Sequence, residues 1–302
     1  MNKKAQSKEI LQVVNPYDLG FIGSVPLISW QTIDEYLDKA QQLMRNRSNW
    51  LRPFQRIEIL EKAAQKMQYR FEELAYQIAN EGGKPLIDAR VEVARAIDGV
   101  GLCIKELSQL SGKEVPMGLT EAGAGRIAFT MREPIGTVVA VSAFNHPLNL
   151  IIHQVAPAVA TGCPVLIKPA DDTPLCCKIF VDILYESGLP PEWCRYVPCD
   201  IPTAEKMVTD PRVAFFSFIG SAKVGWMLRS KLAPGTRCAL EHGGVAPVIV
   251  DTSADIDDMI PILTKGGFYH SGQVCVSVQR VFACKHQAEK VALLLAEHAS
   301  KL

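Results

Sequence analysis

A cysteine at position 275 closes the string Gly272-Gln273-Val274-Cys275, and two more glycines, Gly266 and Gly267, stand a few residues upstream. A free thiol has a pKa near about 8.5, so little of it is thiolate at neutral pH; sharp glycine turns that bring backbone N–H groups to the sulfur would raise that fraction. A buried, inert cysteine is the competing reading, and eight other cysteines share the chain. Other chemically apt residues follow short apolar runs. Asn145 comes after IGTVVAVSAF, Lys168 ends VLIK, Gly220-Ser221 follows VAFFSFI, and Glu241 follows RCAL. Asn145 offers an amide donor for an oxyanion, or a helix cap ahead of Pro147. Glu241 is a carboxylate base at a strand end, or a solvated surface glutamate, which fits less well because both flanking segments read as buried. Gly220-Ser221 opens G-S-A-K-V-G through Gly225, a helix N-terminus suited to a pyrophosphate, although such a string alone is weak.

These residues need elements to hold them. From 135 onward short β-branched runs alternate with helical patterns, which predicts βαβ units and a doubly wound parallel α/β sheet whose ligands lie at the carboxyl ends of strands. Before that, residues 32–111 read as long helices in QTIDEYLDKAQQLM, RIEILEKAAQKMQYRFEELAYQIANEGG and a run from Leu86 to Leu110. Between Ser111 and Glu133 the chain turns glycine-rich and then alternates in RIAFTMRE, predicting an extended hairpin and a possible subunit contact.

The composition narrows the partner. Lys plus Arg and Asp plus Glu are 32 each, so no net field favours nucleic acid or an anionic membrane. The polar N-terminus and the lack of a long uncharged apolar stretch predict a protein without a membrane span, and nine cysteines without metal-ligand spacing predict reduced thiols, no metal and a cytoplasmic setting.

Each strand-end residue is of a type that dehydrogenase chemistry could use. The strings F-N-H-P at 144–147, K-P-A at 168–170, F-I-G-S at 218–221, L-E-H-G-G at 240–244 and G-Q-V-C at 272–275 stand in order and register, joined by E-G-G-K-P at 81–85 and R-E-P-I-G at 132–136. From about Trp50 to Arg280 the chain resembles the NAD(P)-dependent aldehyde dehydrogenase superfamily. The resemblance implies that Cys275 is the nucleophile, Glu241 the general base and Asn145, with the Cys275 N–H, the oxyanion site. It assigns Phe144, Lys168, Asp171, Gly220, Ser221 and Gly225 to the cofactor. Asp171 stands where many members carry a ribose-binding Glu, which favours NAD and leaves NADP possible; Ile219 replaces a common Thr.

The implied substrate is a small polar aldehyde: lactaldehyde, glyceraldehyde 3-phosphate oxidised without phosphorylation, phosphonoacetaldehyde or a semialdehyde. The resemblance also implies a homo-oligomer, dimer or tetramer. The expected layout is a dinucleotide-binding domain over 1–112 and 134–243, a protruding oligomerisation hairpin at 113–133, and the start of a catalytic domain at 244–302, apparently truncated. A dinucleotide-binding or interacting chain without turnover is the alternative, and a thiol hydrolase pairing Cys275 with His270 is a third.

Overall fold

The computed structural model describes residues 10–302. Strands β1 (Ile10–Val14) and β2 (Phe21–Pro26) pair antiparallel, closed by a turn in which the Asn15 and Asp18 side chains accept the N–H groups of Tyr17 and Gly20. Helix α1 (Trp30–Arg45) is capped by Ser29, whose hydroxyl accepts Thr32 N–H, and it buries Ile33, Leu37 and Ala40 at helical spacing.

The second helical pattern is not one helix. It divides at Arg70 into α2 (Pro53–Tyr69) and α3 (Phe71–Gly82). Arg70 leaves helical geometry at φ −95° and ψ 21°, ends one helix and starts the next, and grips Glu73 with two side-chain bonds. Gly83, at φ 61°, supplies the left-handed residue that ends α3. Helix α4 (Leu86–Glu106) follows Pro85. The stretch expected as an extended hairpin holds only two-residue strands, β3 (Glu114–Val115) and β4 (Ala128–Phe129), paired antiparallel.

The alternating half follows as β5 (Thr137–Val141), α5 (Asn149–Thr161), β6 (Val165–Lys168), α6 (Pro174–Glu186), β7 (Cys194–Tyr196), α7 (Ile201–Val208), β8 (Val213–Gly220), α8 (Ala222–Ser230) and β9 (Arg237–His242). The chain ends with β10 (Val248–Val250), α9 (Ile256–Phe268), β11 (Val281–Ala283) and α10 (Lys285–Ala299). The main sheet has the order β7-β6-β5-β8-β9, with β5, β6, β7 and β8 in parallel register. The protein is thus α/β with a parallel central sheet, as the alternation predicts. The order reverses beside β5: the chain first builds outward through β6 and β7, then returns to place β8 on the other side of β5.

Two compact units divide the chain. Of the described residues, the first comprises 10–219 and 227–239, the second 220–226 and 240–302. In the first unit the sheet is covered by α5 and α6, and α2, α3 and α4 pack over those two helices. Leu148, Ile151, Ile152, Leu166 and Phe180 are fully buried there. In the second unit β10 and β11 pair parallel and α9 packs on α10 around Val250, Ile260, Leu263 and Val291. Ile249 and Phe282 remain exposed on that short sheet. Among the described residues no helix is long and apolar enough to cross a membrane.

Candidate active site

In the first unit, Lys168 is the last residue of β6, and its ammonium is drawn to Asp171 Oδ1 at 2.7 Å and to the Pro169 carbonyl at 3.2 Å. The lysine is buried while the Asp171 side chain is 48% exposed. A cation and a half-exposed carboxylate thus stand together at the carboxyl end of a central strand, a donor and acceptor set that fits a ribose diol. Lys168 also lies near Asp200, which caps α7 by accepting Thr203 N–H; that hydrogen bond holds the Asp200 carboxyl below its usual range.

Asn145 lies in the loop that leaves β5, half-buried between exposed Phe144 and buried His146. It is not the cap residue of α5, which is Leu148. The Leu148 and Asn149 N–H groups go instead to Glu92 Oε1, at 2.9 and 3.0 Å. The Thr173 hydroxyl donates to the Phe144 carbonyl at 3.4 Å.

Behind this loop lies a buried cluster that sequence reasoning missed. Lys84 is hydrogen-bonded to Glu92 Oε2 and stands 2.8 Å from His146 Nδ1. Burial alone would raise the Glu92 carboxyl, but the charge and hydrogen bond of the Lys84 ammonium and the Asn149 N–H outweigh it, and the group titrates below its usual range. Burial lowers Lys84, opposed by Glu92. The signal in the sequence is the string E-G-G-K-P at 81–85, which sets Lys84 in a turn between two helical patterns.

In the second unit, Gly220 ends β8 and Ser221 opens α8, its hydroxyl accepting Val224 N–H at 3.4 Å and its carbonyl accepting Gly225 N–H at 3.0 Å. Ser221 is exposed at the helix N-terminus and Gly225 is buried, which fits the binding of a phosphate group. Glu241 lies one residue before the end of β9 and is exposed. The expectation that its flanking segments are buried is not met: β9 alternates exposed and half-buried residues because it is the outermost strand of the sheet.

Cys275 occupies a turn and is exposed, the only one of the nine cysteines to be so. The Gly244 N–H donates to its carbonyl at 3.0 Å, so the segment leaving β9 is bonded to the cysteine turn. The glycines upstream serve this turn directly. Gly272 adopts φ 70°, and Gly266 accepts the Val278 N–H at 3.0 Å. His270 and Ser271 directly precede Gly272 at φ 50° and 56°, two non-glycine residues in the left-handed region, a strained arrangement often found beside functional groups. His270 is buried.

The aldehyde dehydrogenase family model matches residues 2–302 of the chain. The chain is 32% identical over 275 residues to the 3-sulfolactaldehyde dehydrogenase of Priestia aryabhattai, covering 91% of this chain and 57% of that protein. It is 34% identical over 301 residues to the lactaldehyde dehydrogenase of Methanocaldococcus jannaschii, covering 98% of this chain and 63% of the relative. Among solved structures, a glyceraldehyde-3-phosphate dehydrogenase from Methanocaldococcus jannaschii complexed with NADP superposes with a TM-score of 0.90 at 32% identity, covering 98% of this chain and 64% of that one. The chain therefore spans about 57–63% of the length of these curated relatives.

Proposed function

This chain belongs to the aldehyde dehydrogenase family, and we propose that it oxidises small polar aldehydes to carboxylic acids with NAD(P), using Cys275 as nucleophile and Glu241 as general base. The observation that carries this reading is the hydrogen bond from Gly244 N–H to the Cys275 carbonyl, which ties the segment following Glu241 to the turn that bears the exposed thiol. The names of the sulfolactaldehyde and lactaldehyde relatives support a short, polar substrate.

In this reaction the Cys275 thiolate forms a bond to the aldehyde carbon, and the oxygen that gains the charge needs hydrogen-bond donors, a role the family resemblance assigns to the Asn145 amide and the Cys275 N–H. One such donor is typically worth about 10² to 10³ in rate. The nicotinamide, when bound, supplies the hydride acceptor that turns the adduct on Cys275 into a thioester. Glu241 takes a proton from water as its oxygen adds to the thioester carbonyl; the carbon–sulfur bond breaks, the acid leaves and the thiolate returns. Lys168 and Asp171 are assigned to the adenosine ribose, Gly220, Ser221 and Gly225 to the pyrophosphate, and Phe144 to the cofactor pocket. NAD is the preferred cofactor because the Asp171 carboxylate opposes a 2′-phosphate.

The proposal extends to a homo-oligomer in the cytoplasm. Within 113–133, Leu119, Ile127, Phe129 and Met131 are large exposed apolar side chains, which suits a subunit contact. Light scattering on Ile127→Glu checks this, with a smaller assembly expected.

Turnover tests the function. NAD reduction with lactaldehyde or sulfolactaldehyde is expected from this chain and lost in Cys275→Ala. NAD binding with no reduction of NAD would replace the proposal with that of a dinucleotide-binding chain.

A further inference from the structure

Lys84, Glu92 and His146 come from three parts of the sequence and meet inside the first unit. Lys84 lies in the turn between α3 and α4, Glu92 on the buried face of α4, and His146 in the loop after β5. The side chains of Lys84 and Glu92 are 0% exposed. The lysine ammonium bonds Glu92 Oε2 and also reaches His146 Nδ1 at 2.8 Å, while Glu92 Oε2 stands 3.4 Å from the same nitrogen. A lysine ammonium only donates, so Nδ1 accepts and the ring proton is assigned to Nε2.

Burying two charges costs several kcal/mol per ion before their partners offset it, and well-packed apolar replacements are often about neutral or stabilising. Stability is therefore a poor reason for this pair. Its hydrogen bonds converge on one short stretch of chain. Lys84 holds the His146 ring, Glu92 Oε1 holds the N–H groups of Leu148 and Asn149, and the His146 carbonyl accepts Leu150 N–H at 3.0 Å. On the other side Thr173 holds the Phe144 carbonyl. Asn145 is the single residue between these two tethers.

We infer that Lys84 and Glu92, acting through His146, are positioning residues that hold Asn145 in one orientation. The inference rests on the assignment of Asn145 as oxyanion donor. A donor fixed in advance needs no reorganisation as charge develops, and a misplacement of about 1 Å can cost about 10²-fold in rate.

The test compares Lys84→Met/Glu92→Gln, which removes both charges and leaves no buried ion alone, with Asn145→Ala and with the combination of all three changes. His146→Phe, which cuts the tether and leaves the ion pair, stands in if the paired variant does not fold. Amide relaxation in a selectively labelled chain is the first readout. The Asn145 order parameter is expected to fall from about 0.85 to below about 0.6 while residues of β6 keep theirs. Turnover with NAD and lactaldehyde is the second: kcat falls at least tenfold with the KM for NAD unchanged, and the combined variant is no slower than Asn145→Ala alone. An Asn145 amide as ordered in the variants as in the parent overturns the inference, whatever the turnover. Losses that multiply in the combined variant also overturn it. If Asn145→Ala leaves turnover intact while the paired variant loosens Asn145, the assignment of Asn145 falls and the positioning stands.

Discussion

The N–H of Gly244 donates to the carbonyl of Cys275 at 3.0 Å, and Gln279 N–H donates to the Val245 carbonyl at the same distance. The segment that follows Glu241 and the turn that carries the thiol are therefore laced backbone to backbone, within a single compact unit. A Cβ added at Gly244 would stand 3.3 Å from the Cys275 oxygen, so this approach leaves little room for a side chain.

Thiol reactivity checks the nucleophile. Cys275 is exposed, while burial pushes Cys176 and Cys177 well above the usual thiol range and Cys194 up to about 12. Brief iodoacetamide labelling at neutral pH, followed by peptide mapping, is expected to modify Cys275 first, then the half-buried Cys103, Cys238 and Cys284, and the buried cysteines last. Equal labelling of Cys275 and Cys194 would remove the thiol from the proposed chemistry.

The left-handed turn before Cys275 gives a paired prediction. Gly272 sits at φ 70° with the Gly267 carbonyl 3.0 Å from where a Cβ would lie, whereas Gly243 has no atom within 4 Å of that position. Gly272→Ala is expected to cost about 1–2 kcal/mol from the left-handed backbone alone, and Gly243→Ala close to nothing. Thermal melts of both decide it: a Gly272→Ala protein that melts with the parent would mean that the turn relaxes at no cost.

How much of this was legible in the sequence depends on whether the signal was local. Lys168 and Gly220 are the last residues of β6 and β8, because buried parallel strands read as continuous apolar runs that stop where the strand stops. The burial expected around Glu241 fails for the same reason, since RCAL looks as apolar as a central strand although β9 lies at the end of the sheet order. The helix break at Arg70 left no glycine or proline to mark it. The pairing of Lys84 with His146 spans 62 positions and is invisible to any periodicity. Each residue has its own local environment in sequence; only the packing of α4 against α5 brings them together.

Acid should weaken the first unit through Glu92. Its carboxyl is held below the usual range in the fold, so its stabilisation is fully present above the unfolded value of about 4.3 and is lost as pH falls through the folded value. Lys84 and His146 face it directly, and Asp88 and Cys176 act on Lys84. Glu92→Gln leaves a buried ammonium without its counter-ion and is expected to cost about 3–5 kcal/mol at neutral pH. Melting curves of parent and variant should converge as pH falls below about 4. A gap that stays constant with pH would show that the carboxylate is not the charged partner.

The cofactor preference turns on Asp171. Its carboxylate pairs with Lys168 at 2.7 Å yet keeps about half its surface in solvent, so it can still accept ribose hydroxyls while opposing a 2′-phosphate. Two unit charges about 4 Å apart interact by about 1 kcal/mol in bulk water and about 4 kcal/mol near a protein surface, so under the proposed assignment of Asp171 to the ribose the repulsion would favour NAD. Asp171→Ser removes that charge and releases the Lys168 ammonium toward a phosphate, although Asp200 remains nearby and moderates the gain. Calorimetric titration of the variant is expected to show NAD binding weakened several-fold and NADP binding strengthened at least about tenfold, which corresponds to about 1.4 kcal/mol. An unchanged ratio of the two affinities would mean that Asp171 does not face the ribose. NADP already bound more tightly than NAD by the unaltered chain would assign the selection to another residue altogether.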